Sequence, residues 1–224
     1  SLHITYIDGS EEYVDSNRTF KTYPGPVMFN HMRQGEVYDA RYDEEGFSKA
    51  DFCDDHWEYA RRANHPGGVY ELTNMPPIRV TDEYAPVKFE NGIYDFGVNV
   101  SGWVKIKVKG ERGRKIRISY DERLSDDGKD LYASWKFPQV PDDQKVHWRG
   151  SNALVLIEGL PYAHIDEYIL KGGEEEIWSP SFCYHAFRYA KVENAPEDFE
   201  IVSQFVHTDV ETVGTFECSD EMLN

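Results

Sequence analysis

Hydrophobic and polar positions alternate with a period of two along most of this chain, and turn-forming residues interrupt the alternation every few positions. Residues 103–109 show it most clearly, with Val104, Ile106 and Val108 on one side and Lys105, Lys107 and Lys109 on the other. That is the pattern of a strand with one dry and one wet face. "GERG" at 110–113 turns the chain, and 114–120 returns with Ile116, Ile118 and Tyr120 on one side, so the pattern predicts a hairpin. Trp103 falls on the lysine side, which suits a residue covering a domain junction. "PVKFE", "DEYILKG", "FRYAKVE" and "EIVSQFV" are further short runs rich in β-branched and aromatic residues and bounded by Gly, Pro, Asn or Asp. Leu2, Ile4 and Tyr6 alternate before the turn pair Asp8-Gly9, which predicts a hairpin at the very start. Many short strands with frequent turns predict an all-β protein, an antiparallel β-sandwich of the jelly-roll or supersandwich type.

Two stretches leave this pattern. "SKADFCDDHWEYARRA" at 48–63 predicts a helix of one or two turns, followed by a break at "NHPGG" and "NMPP" where periodicity vanishes and a domain boundary is expected. "ECSDEMLN" at the other end predicts the start of a helix, with Ser219 as N-cap and Asp220 and Glu221 at the positive end of the dipole. A strand beginning at the first residues and a helix beginning at the last suggest an excerpt of a longer protein. The segment 133–164 is the least regular and reads as a long loop or insertion.

Composition narrows the function. With 41 Asp plus Glu against 24 Lys plus Arg, the chain carries a formal charge of -17, which repels a polyphosphate and excludes nucleic acid as a partner. The longest aliphatic run, "ALVLI" at 153–157, is far short of the ~20 apolar residues of a spanning helix, so no membrane partner is expected. Cys53, Cys183 and Cys218 are odd in number and widely spaced. They do not describe a disulfide framework, and a reducing, cytoplasmic compartment is favoured over the alternative of one disulfide plus a free thiol.

Candidate chemistry is sparse. Gly97 to Gly102 form G-x-x-x-x-G, but Trp103 and Val104 stand where a phosphate loop needs Lys and then Ser or Thr. Cys53-x-x-His56 is half of a zinc pattern without a second half of comparable spacing. "DDGKD" at 126–130 lacks the ligand positions of a calcium loop and reads as a polar hairpin turn. No metal or cofactor is expected. Asp121-Glu122, Asp126-Asp127 and Glu174 to Glu176 are adjacent carboxylates, which on a strand point to opposite faces rather than into one cleft. Trp135 and Trp148, in the irregular stretch, are candidates for stacking on a sugar, although large aromatics more often fill buried surfaces.

Several stretches together resemble the bacterial α-L-rhamnosidases of glycoside hydrolase family 78. They are "GEVYDAR" at 35–41, "DDHWEYA" at 54–60, "YDFGVNVSGWVKIKV" at 94–108 with Asp95, Phe96, Gly97, Asn99 and Gly102 matching, "ISYDERLSDDGKDLY" at 118–132, "DEYILKGGEEEIWSPSFCYHAFRYAKVE" at 166–193, and "VHTDVETVGTFECSDEMLN" at 206–224. They run in family order. Val98 stands where the family commonly has Gln, and Ala186 where it commonly has Gly. The resemblance implies residues 1–64 as the tail of an N-terminal β-sandwich, 65–212 as a second sandwich, and 213–224 as a connector into an (α/α)6 catalytic barrel. It also implies that the hydrolytic carboxylates lie in that barrel, so no residue of this chain is expected to be catalytic, and Asp95, Gly97, Asn99 and Gly102 are expected to act as a structural motif at the entry to a strand. The expected function is that of a non-catalytic scaffold, packed on its own catalytic domain, of an enzyme releasing terminal α-L-rhamnose from glycosides with inversion. An independent carbohydrate-binding module is the alternative.

Overall fold

The computed structural model describes residues 2–32, 34–64, 67–69, 71–132 and 164–224. Two compact units are present: Ser1–Pro26 with Tyr42–Thr73, and Val27–Arg41 with Asn74–Asn224. The residues between 27 and 41 therefore belong with the second unit, although they lie inside the 1–64 stretch that the sequence assigns to the first.

In the first unit, β1 (Leu2–Thr5) pairs antiparallel with β2 (Glu11–Val14), Leu2 opposite Val14, and Gly9 takes a left-handed φ of 83° in the connecting turn. The alternation at the start of the chain thus gives the expected hairpin. The helix expected over 48–63 does not form. Phe47, Lys49, Phe52 and Trp57 each donate a backbone N–H three residues back, in separate turns, and Glu58–Tyr59 instead pairs as a short strand with Lys21–Thr22. The reason lies in the side chains. Tyr23, Phe52, His56 and Trp57 gather into one aromatic cluster, and Lys21 Nζ holds Asp54 through its carboxylate at 2.7 Å and its carbonyl at 3.0 Å. These contacts outweigh the few tenths of a kcal/mol per residue that helix propensity supplies.

The second unit is an all-β, curled sandwich. Its strands are β4 (Val27–His31), β5 (Gly35–Asp39), β7 (Ile78–Tyr84), β8 (Lys88–Glu90), β9 (Ile93–Val108), β10 (Lys115–Asp121), β11 (Ile165–Ile169), β12 (Glu176–Trp178), β13 (His185–Glu193) and β14 (Phe199–Thr208), the labels β3 and β6 being kept for the Lys21–Thr22 and Glu58–Tyr59 pair above. They hydrogen-bond in the order β4-β5-β11-β10-β13-β9-β14-β7, with β12 and β8 also on β9. All pairings are antiparallel except β5 with β11.

The hairpin expected from residues 103–120 is overturned. β9 and β10 do not pair: the end of β9 lies between β14 and β12, whereas β10 lies between β13 and β11. Both nevertheless bury the predicted residues, Val104, Ile106 and Val108 with Ile116, Ile118 and Tyr120, in one core cluster. Period-two alternation reports which face is dry but not which neighbour is bonded, and here 109–114 carries the chain from one wall of the core to the other. Phe96 and Phe187 meet edge-on at 5.8 Å in the same core. Tyr38, Tyr168 and Trp178 form a second aromatic group that ties β5, β11 and β12 together.

At the C-terminal end the expected helix start is a single turn, Leu223 N–H to Asp220 O at 3.1 Å. Asp220, one residue beyond the expected cap, accepts from Met222 N–H at 3.0 Å. Among the described residues no helix is long and apolar enough to cross a membrane.

Candidate functional site

The residues 95–102 sit inside β9, not at its entry. β13 places Phe187 opposite Val100 and Tyr189 opposite Asp95, so Phe96, Gly97, Val98 and Asn99 face the single residue Arg188 across a wide bulge. Phe96 and Val100, in the same period-two phase as Val104, Ile106 and Val108, both point into the core at 2% and 7% exposure, whereas Val98 between them, in that phase too, is exposed. Gly97 supplies the left-handed φ of 79° that the bulge requires, a conformation open to glycine at little steric cost. Asp95 stands in for the missing ladder partners. Its carboxylate accepts Gly97 N–H at 2.7 Å and Arg188 Nε and Nη2 at 2.8 and 2.9 Å. The hydrogen bonds from Arg188 hold the Asp95 carboxyl below its ordinary pKa. At the apex, Asn99 Nδ2 donates to Glu122 Oε1 at 2.7 Å, joining β9 to the chain just past β10. Gly102 serves close approach: a Cβ there would lie 1.8 Å from Gln204 O.

Trp103 has a defined place. Its Nε1 donates to Gln204 Oε1 at 2.7 Å, Gln204 Nε2 donates to Glu83 Oε1 at 2.7 Å, and Lys105 Nζ reaches the same oxygen. The indole edge is satisfied along the outward face of β9, β14 and β7.

A second constellation lies buried. Asp166 is wholly enclosed and is ringed by four donors: Glu36 N–H at 2.8 Å and the Cys183 thiol at 3.4 Å on Oδ1, the Tyr120 hydroxyl at 2.6 Å and His185 Nε2 at 3.0 Å on Oδ2. The two oxygens of a carboxylate offer about four acceptor positions, so the set is complete with His185 protonated on Nε2. The Tyr120 ring stacks on that imidazole at 4.2 Å. Glu36, also fully buried, accepts from the Ser181 and Phe182 amides at 3.1 and 3.0 Å. "GEVYDAR" therefore works as a clamp: it brings β5 beside β11, feeds Asp166 and fixes the approach to β13.

Asp166, Cys183 and His185 bring ligand-type atoms within 4.8 Å of one another. Their donor pattern is that of a hydrogen-bonded anion. Every Asp166 acceptor position already has a donor, and burial, with the Asp166 carboxylate beside it, pushes the Cys183 thiol far above its usual range. The constellation ties β5, β10, β11 and β13 together and is closed to solvent.

His164, at the start of β11, adds a pH dependence. Burial, and then the nearby His185, lower its pKa to about 4, against an ordinary value of 6.5. A histidine depressed in the folded state is kept neutral by the fold. The stability it contributes is present above pH 6.5 and is lost as pH falls towards 4, up to about 3 kcal/mol. Urea unfolding is expected to show a steep fall in midpoint between pH 6.5 and 4.5. His164→Asn, which suits the φ of 65° at that position, is expected to flatten it, and a profile identical in the two proteins would contradict this assignment.

The other predicted residues are dispersed. Trp135 and Trp148 lie outside the described residues. Cys53 is exposed, and His56 bonds Glu44 Oε2 at 3.0 Å. The 125–130 turn is closed by Ser125 and Asp127, and Leu124 bridges Leu131. The buried centre on Asp166 was missed, although a signal exists: His164, Asp166, Tyr168 and Leu170 share one phase, as do His185 and Phe187, so a period-two reading places the polar members among the buried ones.

Known proteins give this architecture a family. Residues 87–213 match the family model described as the bacterial alpha-L-rhamnosidase concanavalin-like domain, and residues 1–82 match the alpha-L-rhamnosidase N-terminal domain. An alpha-L-rhamnosidase of Formosa agariphila is 32% identical over all of this chain, which spans 22% of that protein, and one of Streptomyces avermitilis is 27% identical, with 20% spanned. Among solved structures, the alpha-L-rhamnosidase from Dictyoglumus thermophilum superposes with a TM-score of 0.79 at 35% identity over 99% of this chain and 23% of its own. That from Aspergillus terreus gives 0.76 at 27%, covering 99% and 24%. The chain thus spans about a fifth to a quarter of the relatives it matches, and on the family match over more than half of its residues it belongs to the bacterial α-L-rhamnosidases.

Proposed function

We propose that this chain is the accessory β-sandwich region of an enzyme that hydrolyses terminal α-L-rhamnose from glycosides, with inversion at the anomeric carbon, and that it supplies scaffold rather than catalytic groups. The observation that carries the reading is the match along the whole chain to proteins named as alpha-L-rhamnosidases, of which it spans about a fifth. The disposition of the carboxylates supports the second half. An inverting glycosidase sets two carboxyl groups roughly 6.5 to 9.5 Å apart across an open cleft. Of the acids in the constellations described above, Asp166 and Glu36 are enclosed and Asp95 is bound to Arg188.

Residues 213–224 then serve as the connector to the catalytic domain, and the rhamnoside is a partner of the whole enzyme. The test compares the 224-residue chain with the whole protein on an aryl α-L-rhamnoside: release is expected from the whole protein alone. Turnover by the isolated chain would contradict the scaffold assignment, and an inactive whole protein would contradict the rhamnosidase assignment.

A further inference from the structure

One outward face of the second unit is mostly apolar. On β9, Trp103 points away from the core that holds Val104, Ile106 and Val108. β14 sets Gln204 between Trp103 and Glu83, Val206 opposite Val80 and Thr208 opposite Ile78. β13 sets His185 opposite Gly102 and Ala186 opposite Ser101, so Tyr184 follows beside Trp103. The outward phase of these strands thus carries Ile78, Val80, Val206, Trp103, Ala186 and Tyr184 as neighbours. Val206 is buried in the middle, and around it Ile78 is 61% exposed, Val80 41%, Tyr184 46% and Phe182, two positions before Tyr184, 61%. We propose that this face is the seat of the part of the whole protein that follows residue 224, the catalytic domain of the rhamnosidase reading, on which the identity of the occupant rests.

The polar groups of the face are tied to one another. Trp103 Nε1 donates to Gln204, and Gln204 and Lys105 both donate to the same Glu83 oxygen, so a partner can cover the indole and the amide without stranding either. The far end of β9 is different: there Lys107 is shared by the exposed Glu175 and Glu200, a solvated arrangement. The exposed rings are also held in place before a partner arrives. The buried Glu36 carboxylate accepts the Ser181 and Phe182 amides at 3.1 and 3.0 Å, and Cys183, between Phe182 and Tyr184, is buried against Asp166. Aromatic rings on a fixed backbone lose little freedom on docking, and such rings anchor interfaces.

The course of the chain names the occupant. The chain spans 20 to 23% of its curated relatives, so most of a protein of that length lies outside it. From Thr208, in the row of Ile78, the backbone leaves the sheet and runs on through Val210, Val213 and Phe216, all exposed. A domain that continues from that exit meets the face at a high effective concentration, whereas a second copy of the chain must be recruited from solution.

The test is hydroxyl-radical footprinting, which reads side-chain exposure, on the purified 224-residue chain and on the whole protein. Labelling of Phe182 and Tyr184 is expected to fall about fivefold or more in the whole protein, as burial in the core of an interface requires. Met28 and Met32, exposed at the β4 edge of the sheet, are expected to keep theirs. Phe182→Lys combined with Tyr184→Lys is expected to lower the melting temperature of the whole protein and to leave that of the 224-residue chain, where both rings are already exposed, unchanged. The proposal is overturned by unchanged labelling of Phe182 and Tyr184, or by protection of Met28 and Met32 in their place. It is equally overturned by protection that grows with the concentration of the 224-residue chain alone, which makes the occupant a second copy, or by an equal loss of stability in both proteins, which makes the rings structural. Hydrolysis of an aryl rhamnoside is scored apart: protection in a whole protein without that activity counts against the rhamnosidase reading alone, and activity without protection counts against this proposal alone.

Discussion

A chain comprising residues 74–224 without Val27–Arg41 is expected to lose the cooperative unfolding transition that the 224-residue chain shows. Three consequences of the removal combine. The edge of β11 loses β5 and the backbone bonds that run with it. Asp166 loses the Glu36 amide, and the Ser181 and Phe182 amides lose the Glu36 carboxylate. Tyr38 leaves the aromatic group with Tyr168 and Trp178. Each orphaned buried polar group costs about 1 to 3 kcal/mol, against a whole-domain stability of about 5 to 15 kcal/mol. A synthetic peptide of residues 27–41 added in trans is expected to restore a thermal transition visible by circular dichroism. A deleted chain that melts cooperatively at the same temperature as the 224-residue chain would show that β4 and β5 are dispensable to the second unit.

Asp166→Ala is expected to destabilise the chain by about 3 to 5 kcal/mol, the range found when one member of a buried charged network is removed. The Tyr120 hydroxyl, the His185 Nε2 proton and the Glu36 amide would all be left in the core without an acceptor, and a cavity would open where the carboxylate sits among Tyr120, Cys183 and His185. For a protein of this size that corresponds to a fall in melting temperature on the order of 10 °C. Urea titration should show the midpoint move at constant slope, since the surface exposed on unfolding hardly changes. A loss below about 1 kcal/mol would mean that the four donors find other partners at little cost.

These two expectations mark where the sequence was legible and where it was not. Short apolar runs identified β8, β9, β10, β11, β13 and β14 of the second unit, and local alternation gave the dry face of β9 and β10, because burial on one side of a pleated strand leaves a period of two whatever the strand pairs with. Pairing itself was illegible at 103–120. A turn of "GERG" type closes a hairpin and carries the chain between two walls of a core equally well, and the choice is made by β11, β13 and β14, far away in sequence.

The aromatic cluster of the first unit likewise overrode a local preference for helix between 48 and 63. The bulge at 96–99 left one trace, the closely spaced Gly97, Asn99 and Gly102, which resemblance flagged without explaining. Only the register against Arg188 shows why glycine is needed there. Asp166 and His185 were in phase with buried neighbours, yet a polar residue in a dry phase reads as an irregularity until its partners, Glu36 from 130 positions away and Tyr120 from 46, are seen beside it.

The central claim is that this chain is the non-catalytic sandwich region of an α-L-rhamnosidase. It is tested most directly by following an aryl α-L-rhamnoside in the presence of the purified 224-residue chain and, in parallel, of the whole protein, with the anomer of the released sugar read by proton NMR. Release is expected from the whole protein only, with the inverted anomer appearing first. Release by the isolated chain, or none by the whole protein, would contradict the claim.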